Sequence, residues 1–279
     1  MAGDLAPKIA SKLGHEVVKL FCDIDGRFPN HHPDPSKPEN LTDLINLVKE
    51  KELEVGLAFD GDADRLGVVS KEGKIIFPDM QMVLFSTSIL KRNKNAKIVF
   101  DVKCSKILPR TIEEEEGTPI MSKTGHSYIK ECMQQENALL GGEMSGHIFF
   151  NDRWPGFDDG VYAGARMLEI ISNLSEIEDV FKGIPELVST PEINLATTDE
   201  KKFKIVEEFI AKANYANCTS ILIDGVRIES DTGWGLLRAS NTSPNLVLRF
   251  EADTNENLEL MKNNFKKTLS DINPSLGDF

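Results

Sequence analysis

Three aspartates within five residues constrain this chain more than any other feature, because one tight turn must accommodate them: Asp60-Gly61-Asp62-Ala63-Asp64. Short apolar stretches flank the turn and predict two strands. Gly61 and Ala63 are small enough for the backbone to curl, so that the three carboxylates can face a common centre. Adjacent carboxylates repel each other strongly, and a hard divalent cation neutralises them best. The turn therefore predicts a Mg²⁺ site formed by Asp60, Asp62 and Asp64.

Other kinds of acidic turn share part of this pattern. A calcium-binding EF-hand loop needs glycine at its sixth position and glutamate at its twelfth, where this chain has Arg65 and Lys71. Phosphatases that use an aspartate nucleophile are a second alternative, but only Asp60-Gly61-Asp62 agrees with the minimal part of their motif. A solvated turn without a ligand is the plainest alternative. The cation of Arg65 beside the carboxylates argues against it, because it indicates an anionic ligand shared with a metal.

Charge and cysteine spacing disfavour several classes of partner. The chain carries 45 acidic and 32 basic side chains, a net charge of -13, which repels nucleic acids and anionic lipids. Its four cysteines are far apart and form no zinc-binding or disulfide pattern, so we expect a reducing compartment. No apolar stretch is long enough to span a membrane, and the first residues do not resemble a secretory signal. We expect a cytoplasmic protein without nucleic-acid or membrane partners.

Helix and strand patterns alternate over the first 182 residues and then change. Residues 1–75, including a strand at Glu16–Phe21, predict one mixed α/β domain with the metal turn, and residues 76–182 predict a second. A Gly- and Pro-containing linker follows. Strands enclosed by two helices then indicate a separate α+β domain at residues 190–279. The predicted fold class is α/β, with consecutive mixed α/β domains followed by a C-terminal α+β domain.

Two polar loops carry groups suited to a phosphorylated sugar. Glu143, Ser145 and His147 lie on a glycine-flanked turn and offer the hydrogen-bond donors and acceptors that sugar hydroxyls require. A second loop combines a cation, two hydroxyls and an amide that could surround a phosphate: Arg238, Ser240, Asn241 and Thr242. Considered alone, the loop of Glu143 could equally be an ordinary hairpin loop, and the loop of Arg238 could equally be an ordinary cluster of turn residues.

Four segments together resemble, in order, the motifs of the α-D-phosphohexomutase family, and of its phosphomannomutase/phosphoglucomutase group in particular. They are Asn30-His31-His32-Pro33-Asp34-Pro35, Gly56-Leu57-Ala58-Phe59-Asp60-Gly61-Asp62-Ala63-Asp64-Arg65, Gly142-Glu143-Met144-Ser145-Gly146-His147 and Arg238-Ala239-Ser240-Asn241-Thr242. Lys103 and His126, which alone would be surface residues, also lie where the family has substrate-contacting groups. The resemblance covers essentially the whole chain.

The resemblance implies an isomerase of carbohydrate metabolism, which moves a phosphoryl group between hexose 1-phosphate and hexose 6-phosphate through a hexose 1,6-bisphosphate. It implies mannose or glucose phosphates as substrates and Mg²⁺ as the metal of the aspartate turn. The implied catalytic residues are Arg65, Lys103 and His126. The implied substrate-binding residues lie on the two polar loops. Glu143, Ser145 and His147 would bind the sugar, and the loop of Arg238 would bind the phosphate that does not react.

One part of the family pattern is absent from these 279 residues. The family uses a phosphoserine in an N-terminal domain, followed directly by histidine, and no Ser-His dipeptide occurs here. We therefore expect a phosphohexomutase chain without its catalytic-serine domain, either a truncated product or one half of a split enzyme, inactive or weakly active alone. In a split enzyme the separate N-terminal domain would act in trans. The alternative is a non-catalytic remnant that binds sugar phosphates in the presence of Mg²⁺.

Overall fold

The computed structural model describes residues 2–173 and 187–279. The chain divides into two compact units, Met1–Ile184 and Pro185–Phe279. Residues 183–186 of the predicted linker at 183–191 lie outside the described residues, and the remainder includes a short strand at Val188–Ser189. The boundary predicted at residue 75, between the first two domains, falls inside the first unit. It stays a prediction.

The first part of the first unit is a small antiparallel sheet with helices beside it. Its elements are α1 Ala2–Lys12, a 3₁₀ turn at Pro38–Leu41, α2 Thr42–Glu50, β1 Val55–Phe59, β2 Leu66–Ser70 and β3 Ile75–Ile76, with strand order β1-β2-β3. The strand predicted at Glu16–Phe21 is wrong, because that segment is irregular. Its apolar residues suit a strand, but among the described residues no neighbouring strand offers it a ladder of hydrogen bonds.

The second part of the first unit is a mixed sheet flanked by helices. Its elements are α3 Pro78–Leu90, β4 Lys97–Asp101, α4 Ile107–Glu114, β5 Thr118–Ser122, α5 His126–Glu136, β6 Leu140–Gly142, β7 Ile148–Phe150 and α6 Gly160–Ser172. The strand order is β5-β4-β6-β7, in which β4 is parallel to β5 and to β6, and β7 is antiparallel to β6. Parallel strands require buried, apolar residues on both faces, and β4 is buried in all but its first residue.

The second unit is an antiparallel sheet with two helices. Its elements are β8 Val188–Ser189, β9 Ile193–Ala196, α7 Asp199–Lys212, β10 Thr219–Ile221, β11 Val226–Ser230, β12 Gly233–Ala239, β13 Asn245–Ala252, α8 Asn255–Ser270 and a 3₁₀ turn at Pro274–Leu276. Strands β10 to β13 follow one another in the sheet, and both β8 and β9 pair with β13. Apolar residues of α7 and α8 pack against one face of this sheet.

The predicted fold class is confirmed: mixed α/β structure precedes a C-terminal α+β unit. Among the residues described, none of the helices combines the length and the apolar character that crossing a bilayer needs.

The core of the second unit depends on an aromatic cluster around Phe265 of α8. This fully buried ring lies 4.9 Å from that of Phe209 and 5.1 Å from that of Phe250. We expect Phe265→Ala to lower the free energy of unfolding by about 3–5 kcal/mol, because it removes a buried ring and leaves a cavity. Leu260→Ala on the same helix is the control: Leu260 is 59% exposed, and we expect a change within about 0.5 kcal/mol. Urea unfolding of both variants measures the difference, and equal effects would contradict this packing.

Candidate functional site

The aspartate turn lies where β1 ends and β2 begins, as the sequence predicts. One oxygen from each of Asp60, Asp62 and Asp64 lies within 4.8 Å of the other two. The residue between the last two, Ala63, has a left-handed backbone with φ of 70°, a conformation that residues with side chains seldom adopt. This curl brings the three carboxylates to one side of the turn. Asp60 is buried, whereas Asp62 is exposed.

Arg65 ties the turn to itself and to the preceding loop. Its Nε donates to Asp60 Oδ2 at 2.6 Å, and its backbone N–H donates to Asp60 Oδ1 at 3.2 Å. Its Nη1 donates to Asp34 Oδ1 at 3.1 Å, which fixes the loop containing residues 30–35 beside the turn. Burial favours the neutral form of Asp60, but the bonds from Arg65 outweigh it and lower the pKa of Asp60. Arg65 is therefore a fixed cation within the acidic turn.

Asp64 is the aspartate whose charge the protein satisfies least. Burial raises the pKa of Asp64 to about 6, and the charges of Asp60 and Asp62 add to the rise, whereas His147 opposes it. The Oδ1 atom of Asp64 is buried and has no hydrogen-bond partner. A buried carboxylate oxygen without a partner is costly, and a divalent cation would supply that partner. The aspartate turn therefore fits the oxygen-only set that Mg²⁺ prefers.

Helix α6 holds the turn from the other side. The N–H of Gly160, its first residue, donates to the carbonyl of Ala63 at 3.0 Å. A Cβ atom on Gly160 would lie 2.6 Å from the carbonyl oxygen of Arg65, so only glycine allows this close approach. The preceding Asp159 caps the helix by accepting from the N–H of Tyr162 at 2.9 Å. Sequence reasoning missed this support, because residues 63 and 160 are far apart in the chain.

The predicted sugar loop lies directly beside the aspartate turn. It joins β6 to β7, and the N–H of Leu66 donates to the carbonyl of Gly146 at 3.3 Å. Arg65 and His147 form an antiparallel bridge next to this bond. Glu143 is 2% exposed, and its Oε1 accepts from the N–H of Gly125 at 2.6 Å. Burial raises the pKa of Glu143, and the charge of Asp101 adds to the rise.

His147 of this loop points toward two carboxylates. Its Nδ1 lies 3.2 Å from Asp158 Oδ2 and 3.5 Å from Asp64 Oδ2. Burial alone would lower the pKa of His147, but the nearby carboxylates of Asp158, Asp64 and Glu143 raise it. His126 is close by, because its Nδ1 lies 3.5 Å from the same Asp158 oxygen. Sequence reasoning did not identify Asp158 as a site residue. Its only signal there is its position at the start of a predicted helix.

Asp101 accepts, through its carboxylate, hydrogen bonds from three loops, those of Lys103, Thr124 and Met144. It ends β4, is fully buried and accepts from the Lys103 N–H at 3.3 Å and the Met144 N–H at 3.4 Å. It also accepts from the Thr124 hydroxyl at 3.3 Å. The loops with Lys103, His126 and Glu143 thus share one carboxylate. Asp101 was also missed, although its place at the end of a buried parallel strand is a signal that such a residue faces a site.

The predicted phosphate loop lies in the second unit. Arg238 is buried, and its Nε donates to Asp224 Oδ2 at 2.8 Å. The Ser240 hydroxyl accepts from the N–H of Thr242 at 3.3 Å and from that of Ser243 at 3.2 Å, so this turn is held in shape. Asn241 and Thr242 at its tip are exposed.

Two further residues support the phosphate loop, and sequence reasoning missed both. One is Asp224, the partner of Arg238. The other is Lys202 of α7, which is buried and donates to the Ser243 carbonyl at 3.1 Å and to Asp199 at 2.7 Å.

The first unit thus brings the aspartate turn, the loop of Glu143 and His147 and the loops of Lys103 and His126 next to one another. The Arg238 group forms a compact cluster of its own in the second unit. The roles predicted for these residues stay predictions.

Three family models match successive parts of the chain. They describe the phosphoglucomutase/phosphomannomutase alpha/beta/alpha domain II at residues 1–73, the alpha/beta/alpha domain III at residues 77–187 and the C-terminal domain at residues 192–268. Together these matches span nearly all of the chain.

Named relatives agree with these models. The chain is 53% identical over 278 residues to the phosphoglucomutase of Neisseria meningitidis serogroup A and 51% identical over 277 residues to the phosphomannomutase/phosphoglucomutase of Pseudomonas aeruginosa. Each alignment covers 99% of this chain and 60% of the relative. The chain therefore spans about three-fifths of the length of these relatives.

Solved structures give the same result. A phosphoglucomutase/phosphomannomutase family protein from Burkholderia thailandensis, 48% identical, superposes with a TM-score of 0.93 over 98% of this chain and 58% of its own. An Aspergillus fumigatus N-acetylphosphoglucosamine mutase, crystallised with GlcNAc-6P and magnesium, has a TM-score of 0.57 at 12% identity over 83% of this chain and 52% of its own. This second likeness shows the fold alone.

The contact of α6 with the aspartate turn can be tested by adding one methyl group. We expect Gly160→Ala to destabilise the protein by about 1–3 kcal/mol, because the new Cβ meets backbone that cannot move aside without shifting the turn. Gly164→Ala on the same helix is the control. Its Cβ would meet only side chains, at 3.3–3.4 Å, and we expect a change below about 1 kcal/mol. Thermal unfolding compares the two, and a neutral Gly160→Ala variant would show that the turn is not held this way.

Proposed function

Because the chain belongs to the phosphoglucomutase/phosphomannomutase family, we propose that it supplies the metal, sugar and phosphate sites of a hexose phosphate mutase. The proposed reaction is the intramolecular transfer of a phosphoryl group between hexose 1-phosphate and hexose 6-phosphate through a bisphosphate. The observation that carries the proposal is the buried, unpartnered oxygen of Asp64, which lies in an aspartate turn directly beside the Glu143–His147 loop. A cation site next to a polar loop suits a phosphorylated sugar.

In this proposal Asp60, Asp62 and Asp64 hold Mg²⁺, which when bound neutralises charge on the transferring phosphoryl group. The magnesium of the Aspergillus fumigatus neighbour supports this choice of metal. Arg65 adds a second positive charge at the same place. Because Asp60 and Asp34 fix its guanidinium, it loses little conformational freedom when it contacts the phosphoryl oxygens.

The sugar would bind against the loop between β6 and β7. Glu143, Ser145 and His147 orient its hydroxyls by hydrogen bonds. Lys103 and His126 would act near the reacting oxygen, Lys103 as a polarising cation and His126 as a group that accepts or releases a proton. Their loops are both bonded to Asp101, which supports a common task.

The phosphate that does not react would bind to the second unit. Arg238 provides a charge-assisted bond, and the turn of Ser240, Asn241 and Thr242 provides hydroxyl, amide and backbone donors. The exposed tip of this turn leaves those donors accessible. Mannose and glucose differ only at C2, so a site that holds the phosphate and other hydroxyls would accept both. Relatives named for glucose and for both sugars support mannose and glucose phosphates as substrates.

The serine that carries the phosphoryl group is proposed to lie on polypeptide outside these 279 residues. No Ser-His dipeptide occurs in the chain, which spans about 60% of its relatives' length. Without that serine the chain alone would be inactive or weakly active. Hexose 1,6-bisphosphate would be the activator and intermediate. The free state of all four cysteines supports the proposed cytoplasmic setting.

The first unit has an edge that such a polypeptide could cover. In the sheet of the second part, β6 pairs with β7 on one side and with the parallel strand β4 on the other. Strand β1 makes the corresponding antiparallel hairpin with β2, but its second edge has no strand partner in the described residues. A cavity of about 1020 Å³ lies along that edge, lined by parts of α1, α2 and α6 and by residues 15–31. Unpaired strand edges beside apolar surface favour pairing with a further strand.

Reconstitution tests the proposed function. We expect no conversion of glucose 1-phosphate by the chain alone, and conversion once the part of the Neisseria meningitidis phosphoglucomutase that this chain does not match is added with Mg²⁺ and hexose 1,6-bisphosphate. Arg238→Ala in that mixture should raise the KM for glucose and mannose phosphates at least about tenfold, because it removes a charged hydrogen bond. Lys201→Ala, at an exposed position of α7, is the control and should leave the KM unchanged.

Two outcomes would contradict this account. Substantial turnover without the added domain would show that the missing serine is not essential. Phosphosugar binding that depends on Mg²⁺, without turnover even after the addition, would favour the non-catalytic binding remnant.

Metal binding should depend on pH through Asp64. The metal needs the ionised carboxylate, so lowering the pH through the pKa of Asp64 at about 6 introduces competition with a proton. We expect Mg²⁺ to bind about fourfold more weakly at pH 5.5 than at pH 7.5, measured by calorimetry. Asp62→Asn should weaken binding at both pH values and reduce the ratio, because it removes a charge that raises the pKa of Asp64, whereas Asp64→Asn should abolish the pH dependence. An affinity independent of pH in the unmodified chain would count against Asp64 as a ligand.

A further inference from the structure

A second group of metal-ligating side chains lies beside the aspartate turn. It consists of Asp64, His147 and Asp158, each of which offers one ligand atom within 4.8 Å of the others. His147 Nδ1 lies 3.2 Å from Asp158 Oδ2 and 3.5 Å from Asp64 Oδ2. Ligands that bind one ion tetrahedrally at about 2.0–2.2 Å stand roughly 3.3–3.5 Å apart. The two distances from His147 lie close to this spacing, and all three ligand atoms lie within 4.8 Å of one another.

The bonding of the same atoms also points to a ligand. In the part of the chain that the structure describes, the buried Nδ1 of His147 lacks a hydrogen-bond partner. This nitrogen faces the carboxylates of Asp158 and Asp64 at 3.2 and 3.5 Å, but neither is aligned to accept from it. Buried polar atoms in folded proteins nearly always find partners, so this nitrogen calls for one.

We propose that Asp64, His147 and Asp158 form a second cation site, for a divalent transition metal such as Zn²⁺ or Co²⁺. An imidazole ligand favours these ions, whereas Mg²⁺ prefers oxygen ligands only. Three protein ligands leave a fourth position of a tetrahedral ion open. Asp64 belongs to both sites and bridges them through its two oxygens, with Oδ2 facing His147 and Oδ1 available to the aspartate turn.

The surrounding charges favour a cation here. Asp60, Asp62 and Glu143 add negative charge close to Asp64 and His147. Two cations oppose it: Arg65 Nε lies 4.0 Å from Asp64 Oδ1, and the ammonium of Lys130 lies 3.4 Å from Asp158 Oδ1. Both contacts are to Oδ1 atoms, so the Oδ2 atoms of Asp64 and Asp158 remain available to the metal. His126, whose Nδ1 is 3.5 Å from Asp158 Oδ2, lies where a rotation of its exposed side chain could supply a further ligand.

Occupation of this site has a consequence for the mutase, which rests on the proposed function. A transition metal held by His147 and Asp64 would prevent His147 from binding the sugar and would compete with Mg²⁺ for Asp64. Such an ion would therefore inhibit phosphosugar turnover while remaining distinct from the activating metal.

Cobalt spectroscopy on the full chain tests the site without any phosphosugar. Co²⁺ in a tetrahedral site with an imidazole ligand absorbs visible light far more strongly than octahedral Co²⁺. We expect a saturable increase in absorbance at one equivalent of Co²⁺, reversed by Zn²⁺. His147→Ala and the nearly isosteric Asp158→Asn should each weaken Co²⁺ binding at least about tenfold. Circular dichroism of both variants establishes that they remain folded.

Two control variants separate this site from other ways of binding cobalt. Asp62→Asn removes a ligand of the aspartate turn alone and should change the Co²⁺ affinity less than about threefold. His32→Ala removes an exposed histidine outside the group and should change nothing. The proposal is overturned if the unmodified chain gives no strong absorbance, if folded His147→Ala and Asp158→Asn keep it, or if Asp62→Asn abolishes it. None of these results affects the proposed mutase function, which rests on the aspartate turn and on substrate turnover.

Discussion

Mutual repulsion of three carboxylates in one short turn is the constraint around which the first unit is organised. The protein meets it with contacts that come from separate parts of the chain. Arg65 places a positive charge against Asp60 and binds Asp34 as well, and the N–H of Gly160 holds the carbonyl of Ala63. These contacts fix the backbone but leave Asp64 only partly compensated. A site that is rigid yet short of one positive charge is prepared for a cation.

The same contacts explain why the sugar loop lies next to the metal turn. Strand β2 begins at Leu66, immediately after the aspartates, and its first N–H bonds to Gly146. Asp101 then draws the loops of Lys103 and Thr124 toward the same place. The closeness of these loops in the first unit thus results from backbone bonds between them and from one buried carboxylate that several donors share. Preorganisation of this kind lowers the entropic cost of holding a ligand.

Residues whose role depends on local chemistry could be predicted from the sequence, and residues whose role depends on distant partners could not. The aspartate turn is recognisable because ligand spacing and small residues are adjacent in the chain. Asp158 and Asp224 act through His147 and Arg238, at sequence distances that no local pattern reveals. The segment at 16–21 shows the opposite error: its apolar pattern suits a strand, but a strand forms only where a neighbour pairs with it. Lys103 and His126 were found through family resemblance alone.

The ligand-bearing turns of the first unit occupy equivalent places in two similar hairpins, β1–β2 and β6–β7. Each turn projects from the end of its own antiparallel pair, so the two are tied to separate sheets. The turns nevertheless meet through the Leu66–Gly146 hydrogen bond and the Arg65–His147 bridge. A substitution that shifts the backbone of one turn would therefore displace the other, so that metal preference and sugar preference would change together.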